Sequence, residues 1–455
     1  MRLCKISNHS IRKTLNLRAI MLAVAVLLAK FLWERPTSIG ENPIHRYTNI
    51  VSDPSLLTQT WNQSLREREM KRFPDFKALN PDFKPAEGPK VILFWTEWEK
   101  KLSWEQRFGT EDELMACPSA RCHSTYRKED IYKADAVLFK SDKINPDKMP
   151  SRGRYWNQRW VWVGVEAPLS PEADRSHALL RRLGSSTFNW TMTYHPESEV
   201  LVTKGFLTSF LSTSSLLRPS LLGEHKSALV AYQEDIALNT TLIEVMGVKW
   251  RDFVTRPKLL MSWFDGSCNT SSKREEYIKK LATYIELESY GRCGRYSCRQ
   301  WGFTSVRLCW KIYMATKFLF ALIMEDYLCD YYVSLGLYRA LEYGLVPIVW
   351  GGTAYDHILP PGSYIDARMY HPLALGNLLT TLRRDPVAYS KYHVWRRYWA
   401  VTKQSGLCEL CHLLHNDTTR GHHIDIPKWR RETEQCVKAP SNMFHADNWK
   451  EVIYQ

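Results

Sequence analysis

The sequence holds no Asp-x-Asp motif anywhere in its 455 residues, which removes the usual sequence argument for a metal-bound diphosphate. It holds no Gly-x-Gly-x-x-Gly either, so a dinucleotide enzyme finds no support. Long internal repeats and low-complexity tracts are absent, and the chain must build its cores from non-repeating elements. Acidic residues are missing from the first 33 positions, where Arg2, Lys5, Arg12, Lys13 and Arg18 stand. After them Ala19 to Trp33 is an apolar run broken only by Lys30.

That run is a signal-type segment. Fifteen helical residues reach only about 22 Å, short of a hydrocarbon core of about 30 Å, so length alone also allows a cleavable signal. No small-residue cleavage site closes it, because Phe31-Leu32-Trp33-Glu34-Arg35-Pro36 follows. The expectation is an uncleaved anchor over 19–33, with 1–18 cytoplasmic, Lys30 snorkelling and the remainder lumenal. Eleven cysteines agree with an oxidising compartment. So do the sequons at Asn62, Asn189, Asn239, Asn269 and Asn416; Asn8 heads another on the cytoplasmic side.

A 44% hydrophobic composition at this length supplies two sizeable cores plus extensions. The net charge of +14 suits a nucleic acid, an anionic membrane or an anionic substrate. Lys and Arg are scattered and no nucleic-acid module is visible, which speaks against a polynucleotide.

Residues 34–90 carry Pro36, Pro43, Pro54, Pro74, Pro81, Pro85 and Pro89 among polar residues and predict an extended stem. Buried strands are predicted at Val91-Ile92-Leu93-Phe94-Trp95, Ala136-Val137-Leu138-Phe139 and Trp160-Val161-Trp162-Val163-Gly164-Val165, giving a first α/β domain over 91–245. A second domain, 250–402, opens with a strand at Lys258 to Phe264. Ser272-Lys273-Arg274-Glu275 then reads as a capping box for a helix whose buried face is Tyr277, Ile278, Leu281, Tyr284 and Ile285. Ile285 to Tyr290 is the next predicted strand. Alternating strands and helices imply a doubly wound sheet. Residues 403–455 form a C-terminal tail bearing Cys-x-x-Cys.

The most informative stretch runs from Glu325 to Ile365. Tyr331-Tyr332-Val333-Ser334, Leu337, Ala340, Leu341 and Gly344 predict a helical stripe with a glycine stop. Leu345 to Trp350 then reads as a buried parallel strand, whose exit at Gly351-Gly352 lets a ligand approach the backbone.

With Leu359-Pro360-Pro361-Gly362-Ser363-Tyr364-Ile365, this stretch resembles the donor-site signature of the α1,3-fucosyltransferases. That signature runs roughly FENS-x-C-x-DYVTEK, AL-x-x-G-x-VPVV-x-G, PPGS-[FY]-I. Four other segments are similar to blocks of the same family: Trp162 to Pro168, Phe188 to Tyr194, Cys268 to Arg274 and Asp385 to Arg396, the last with aromatics suited to core packing. The resemblance covers Val91 to Cys411 and implies two Rossmann-like domains facing a cleft, the GT-B architecture. The implied work is inverting transfer of L-fucose from GDP-fucose to N-acetylglucosamine of a glycoprotein glycan, by a single-pass type II protein of the Golgi membrane. GDP would be a sufficient anionic partner, and no cofactor or metal is implied.

On this resemblance Glu166 is the general base, Arg274 contacts the diphosphate, and Glu325, Tyr332 and Val333 shape the nucleotide pocket. A helix N-terminus supports the Arg274 reading independently, since free N–H groups favour phosphate there. Departures are also plain. His195-Pro196-Glu197 stands where the family has Arg-Arg-Asp, leaving His195 as a weaker cation or a surface residue. Leu335-Gly336 replaces the Glu-Lys pair, and neither residue can do that pair's work. Asp330, Glu325, Arg339 and Lys317 are the candidates to compensate. The alternative is an inactive relative that binds a glycan or nucleotide.

Cys408-Glu409-Leu410-Cys411-His412 admits a zinc site, a haem attachment or disulfides. The resemblance implies disulfides from Cys408 and Cys411 to Cys117 and Cys122. Cys293 and Cys298, with four residues between them, are expected to pair. Cys268, Cys309, Cys329 and Cys436 stay unassigned.

Overall fold

The computed structural model describes residues 88–439, apart from 99–102, 109–113, 115–116, 118–120, 151–156, 169, 171–177, 212–217, 220, 239–243, 245–258, 266–267, 299–304, 404–405, 418–423 and 438; of 259–265 it describes the backbone alone. The anchor at 19–33, nearly all of the stem, Asn62 and Asn239 lie outside the described residues. No helix among the described residues is long and apolar enough to cross a membrane.

Six strands, β1 (Lys90–Phe94), β2 (Cys122–Thr125), β3 (Ala136–Lys140), β4 (Arg159–Gly164), β5 (Trp190–Thr193) and β6 (Val200–Leu201), form a sheet in the order β2-β1-β3-β4-β5-β6. Every pairing in it is parallel. Parallel strands are covered on both faces, which explains the unbroken apolar runs of β3 and β4. The following strands are β7 (Phe206–Ser209), β8 (Leu259–Asp265), β9 (Leu287–Gly291), β10 (Phe318–Met324), β11 (Leu328–Cys329), β12 (Val346–Trp350), β13 (Ile365–Asp366), β14 (Trp399–Thr402) and β15 (Cys436–Val437). Five of them make the second parallel sheet, β13-β12-β10-β8-β9. Two antiparallel pairs, β14 with β7 and β15 with β11, carry late segments back to earlier ones.

The helices that matter for the site are α1 (Lys226–Ala237), α2 (Arg274–Leu281), α3 (Leu335–Glu342), α4 (Pro372–Arg384), α5 (Leu407–Asn416) and α6 (Ile426–Thr433). The segment read as a tail is structural. Leu407, Leu410, Cys411 and Leu414 of α5 pack on Ile92, Phe94, Leu138 and Val161 at one face of the first sheet. Ile426 of α6 packs with Leu93, Phe139, Trp160 and Trp162 at the other. Alternate residues of β1 therefore meet helices that arrive from more than 300 positions later, as the two-residue side-chain period of a strand requires.

Disulfides secure this closure. Cys117 joins Cys408 and Cys122 joins Cys411, so the Cys-x-x-Cys pair has no thiolates left for zinc or haem. A buried carboxylate adds to it: Glu409 accepts from Leu201 N–H at 3.0 Å and from Arg218 at 2.5 Å. Cys293 does not pair with Cys298. The bridges are Cys268–Cys293, Cys298–Cys309 and Cys329–Cys436. The first ties the turn before α2 to the loop after β9, two chain reversals that follow the neighbouring strands β8 and β9 and that their pairing brings together.

Two local expectations are also corrected. Ser272 makes no capping box: Lys273, in left-handed backbone at φ 56°, is the N-cap, and the Ser272 hydroxyl donates to Glu325 O at 2.7 Å. Asn189 is 2% exposed and its amide oxygen accepts from Trp160 N–H at 2.8 Å, which leaves no room for a glycan in the folded chain. Asn269 and Asn416 are exposed.

Candidate active site

β10 ends at Met324, and the next residue, Glu325, is only 2% exposed. Its carboxylate accepts from Ser334 N–H at 2.8 Å, at the point where Ser334 caps α3. The helix therefore starts at Leu335 rather than at Tyr331, which sits in left-handed backbone at φ 53°. Leu337, Ala340 and Leu341 are buried as the stripe predicted, and Gly344 closes the helix at φ 75°. Burial raises the Glu325 carboxyl from 4.5 to about 7; the Ser334 bonds and the Arg274 charge act against that rise.

A carboxyl held above its ordinary value binds its proton more tightly in the folded chain than in the unfolded one. The stabilisation is therefore complete below about 4.5 and is lost as pH rises through about 7. Wild-type melting temperature should fall between pH 5 and pH 8, and Glu325→Gln should make that fall smaller. Equal falls in the two proteins would contradict it.

Gly351 and Gly352 serve packing rather than an approaching ligand. A Cβ on Gly351 would lie 2.5 Å from Tyr355 Oη and 3.1 Å from Glu325 Cγ, and one on Gly352 would lie 2.4 Å from the Leu328 carbonyl carbon. Arg274 opens α2 as predicted, but its side chain is 2% exposed. Its guanidinium is engaged with Asp326 and with Met324 O, and lies 3.6 Å from Glu275. A diphosphate meets it only by displacing Asp326.

The two sheets meet along a cleft with Tyr194, Thr203 and Leu207 on one wall and Tyr331, Val333 and Tyr338 on the other. The pocket between these walls is small, about 40 Å³, and opens to solvent. Tyr194 Oη and Thr203 Oγ1 both line it and are buried without a hydrogen-bond partner among the described residues. Rings cross the gap. Tyr194 meets Tyr332 edge-on at 5.2 Å, and His195 meets Tyr331 at 5.1 Å. His195 is thus no surface residue: it is 4% exposed, and its Nδ1 accepts from Glu197 N–H at 3.2 Å.

Glu166 follows the carboxyl end of β4, with its side chain 41% exposed and Oε1 3.4 Å from Lys204 Nζ. Its charge helps burial to raise the Tyr332 phenol well above its ordinary value, so Glu166 and Tyr332 are electrostatic neighbours. Thr353 fixes the Tyr332 loop by donating to Tyr332 O at 3.0 Å. Of the predicted residues Val333 lines the cleft, Tyr332 stands against its wall through Tyr194 with Glu166 as its charged neighbour, and Glu325 and Arg274 are buried behind it.

Two of the compensating candidates are placed elsewhere. Lys317 is bound to Glu288 at 2.8 Å and to Tyr313 Oη at 2.6 Å beside β9. Arg339, half-buried, shares the late turns of α3 with Glu342 and Tyr343. Asp330 is fixed by Gln435 O at its amide and accepts from Tyr331 N–H at 2.9 Å. Sequence reasoning missed Lys204 and the buried pair Arg430–Glu434, 2.7 Å apart at the end of α6, whose guanidinium lies 5.4 Å over Trp162. An isolated lysine between apolar strand segments was the available signal for the first.

Two family models match the chain: "Fucosyltransferase, N-terminal" over residues 87–205 and "Glycosyltransferase family 10 (fucosyltransferase) C-term" over 254–429. The chain is 30% identical over 361 residues to alpha-(1,3)-fucosyltransferase C of Drosophila melanogaster, covering 75% of this chain and 78% of the relative. It is 24% identical to 4-galactosyl-N-acetylglucosaminide 3-alpha-L-fucosyltransferase 9 of Bos taurus, covering 66% and 72%. To GDP-fucose protein O-fucosyltransferase 3 of Bos taurus it is 22% identical, covering 68% and 59%.

Proposed function

Because the chain belongs to glycosyltransferase family 10, the fucosyltransferases, we propose that it moves L-fucose from GDP-fucose onto N-acetylglucosamine of a glycoprotein glycan in an α1,3 linkage. The reaction inverts the anomeric carbon. It takes place in the Golgi lumen, with 19–33 as the anchor of a type II protein, and the protein's own cations rather than a metal serve the diphosphate.

One observation carries this reading: a partly exposed carboxylate from the first sheet, Glu166, stands beside the Tyr332 loop that the second sheet presents to the cleft. Glu166 takes the acceptor's hydroxyl proton, the freed oxygen forms a bond to fucose C1, and the C1–O bond to the β-phosphate breaks with its electron pair leaving on GDP. Tyr332, backed by the buried Glu325, shapes the nucleotide side of the cleft, and Arg274 reaches the diphosphate by exchanging Asp326 for phosphate oxygens. Two sheets that each contribute one half of the chemistry allow donor and acceptor to be bound separately and aligned at the seam.

The test is incubation of the full-length protein with GDP-fucose and three acceptors: an N-glycan core, a terminal lactosamine and a folded protein with free serine and threonine hydroxyls. Fucose on a glycan, with GDP released in equal amount, supports the proposal. Transfer to the protein hydroxyl would replace the acceptor assignment. Leu335-Gly336 favours one other reading, an inactive binder, and donor binding without either product would establish it.

A further inference from the structure

Departure of GDP builds negative charge on the phosphate oxygens, and catalysis needs a cation already placed there. The second sheet's own arginines beside the cleft are engaged. Arg274 holds Asp326 and Met324 O, and Arg368 forks onto Asp366 at 2.6 to 3.0 Å while donating to Gly351 O at 2.8 Å. No lysine stands in the first turn of α3, where position 336 is glycine.

Lys204 reaches the same cleft from the first sheet. It lies between β6 and β7, and the residues on either side of it both touch the second sheet's half of the cleft. Thr203 lines the space shared with Tyr331 and Val333. Gly205 lies so close to α3 that a Cβ there would be 2.5 Å from Tyr338 Cγ. The Lys204 ammonium is 3.4 Å from Glu166 with 19% of its side chain exposed, and a pair of that length between partly solvated groups exchanges readily. A four-carbon stem gives the ammonium the reach to change partner.

Resting on the transferase reading above, we infer that Lys204 is a second cation of the departing diphosphate beside Arg274, supplied from across the cleft where α3 has none. Donor binding draws the ammonium from Glu166 to the phosphate oxygens. The same movement releases the Glu166 carboxylate to accept the acceptor's proton, so the base becomes available only when the donor is in place. Lys204 touches the leaving group and the pair it breaks is the one that masks the base.

The test compares full-length wild type, Lys204→Met, Lys204→Arg, Gly336→Lys and the double variant Lys204→Met/Gly336→Lys. Position 336 has room, since a Cβ there meets Ile323 Cδ1 and Ser334 Oγ at 3.4 Å. Lys204→Met should weaken GDP binding about tenfold and lower kcat roughly a hundredfold, as loss of one preorganised charge does. Lys204→Arg should keep most of both, and the lysine at 336 should restore at least about a tenth of wild-type kcat to the double variant. A lysine that only holds Glu166 in place predicts otherwise: kcat falls, the Kd for GDP is unchanged and Gly336→Lys rescues nothing, and that result overturns the inference. Should Lys204→Met melt early, Lys204→Gln keeps a polar stem and carries the same expectations. Wild-type protein that binds no GDP refutes the transferase reading itself, whereas wild-type binding with an unaltered Lys204→Met refutes only the role of the lysine.

Discussion

Glu166→Gln should lower kcat roughly a thousandfold, within the range of 10² to 10⁴ that a positioned general base contributes, and leave GDP affinity within about twofold of wild type. The amide is isosteric but cannot take the acceptor's proton. Affinity is spared because Lys204 loses a partner and keeps its charge, so the diphosphate still meets a cation. Glu325 cannot stand in, since it is 2% exposed and bound to the cap of α3. Steady-state kinetics together with equilibrium binding of GDP check this. An unchanged kcat would move the base elsewhere, and a parallel loss of GDP affinity would make Glu166 a donor ligand.

Removing both Cys117–Cys408 and Cys122–Cys411, with all four residues changed to serine, should cost about 5 kcal/mol of stability. Each bridge spans nearly the same stretch of chain, with separations of 291 and 289 residues. Either one alone closes that loop in the unfolded state, so removing a single bridge should cost far less than half of the total. The two losses are therefore strongly non-additive. Loss of both also frees α5 from the face of the first sheet, where Leu410 and Cys411 are fully buried. Denaturant titration of wild type, two single-bridge variants and the variant lacking both bridges measures this. Additive single costs would contradict the shared-loop account.

Much of the second sheet was legible because its pattern and its packing agree. Val346 to Trp350 is apolar without interruption and is buried throughout, and Gly344 has the positive φ that only a glycine stop adopts freely. The aromatics of Asp385 to Arg396 are core, with Tyr389 and Trp395 each 1% exposed. What stayed hidden depends on long-range placement. Ser272 carries every local mark of a helix cap, yet Glu325 O, 53 positions away, takes its hydroxyl. Asn189 reads as a glycan acceptor by spacing alone, and spacing is silent about the β4–β5 packing that buries it. Cysteine spacing misled in the same way, since Cys293 finds Cys268 through strand pairing and not through proximity in sequence.

Lys204 was illegible for a further reason. Its significance lies in standing opposite a helix that begins more than 100 positions later, and no periodicity within one segment encodes a charge moved from one wall of a cleft to the other. The same holds for α6, which lies in the stretch read as a tail but buries Arg430 and Glu434 against the first sheet while Cys436 of β15 bonds to Cys329 of β11. A segment that ties the first sheet to β11 gains its meaning only when both are in place.

The central claim is that this cleft holds a guanine sugar diphosphate through charges other than a glutamate and lysine at 335 and 336. Isothermal titration of the full-length protein with GDP-fucose, and with GDP alone, tests it most directly. The account predicts saturable one-site binding of both, weakened by Lys204→Met and by Arg274→Ala variants that remain folded. Absence of any binding heat from the folded wild-type protein would contradict it.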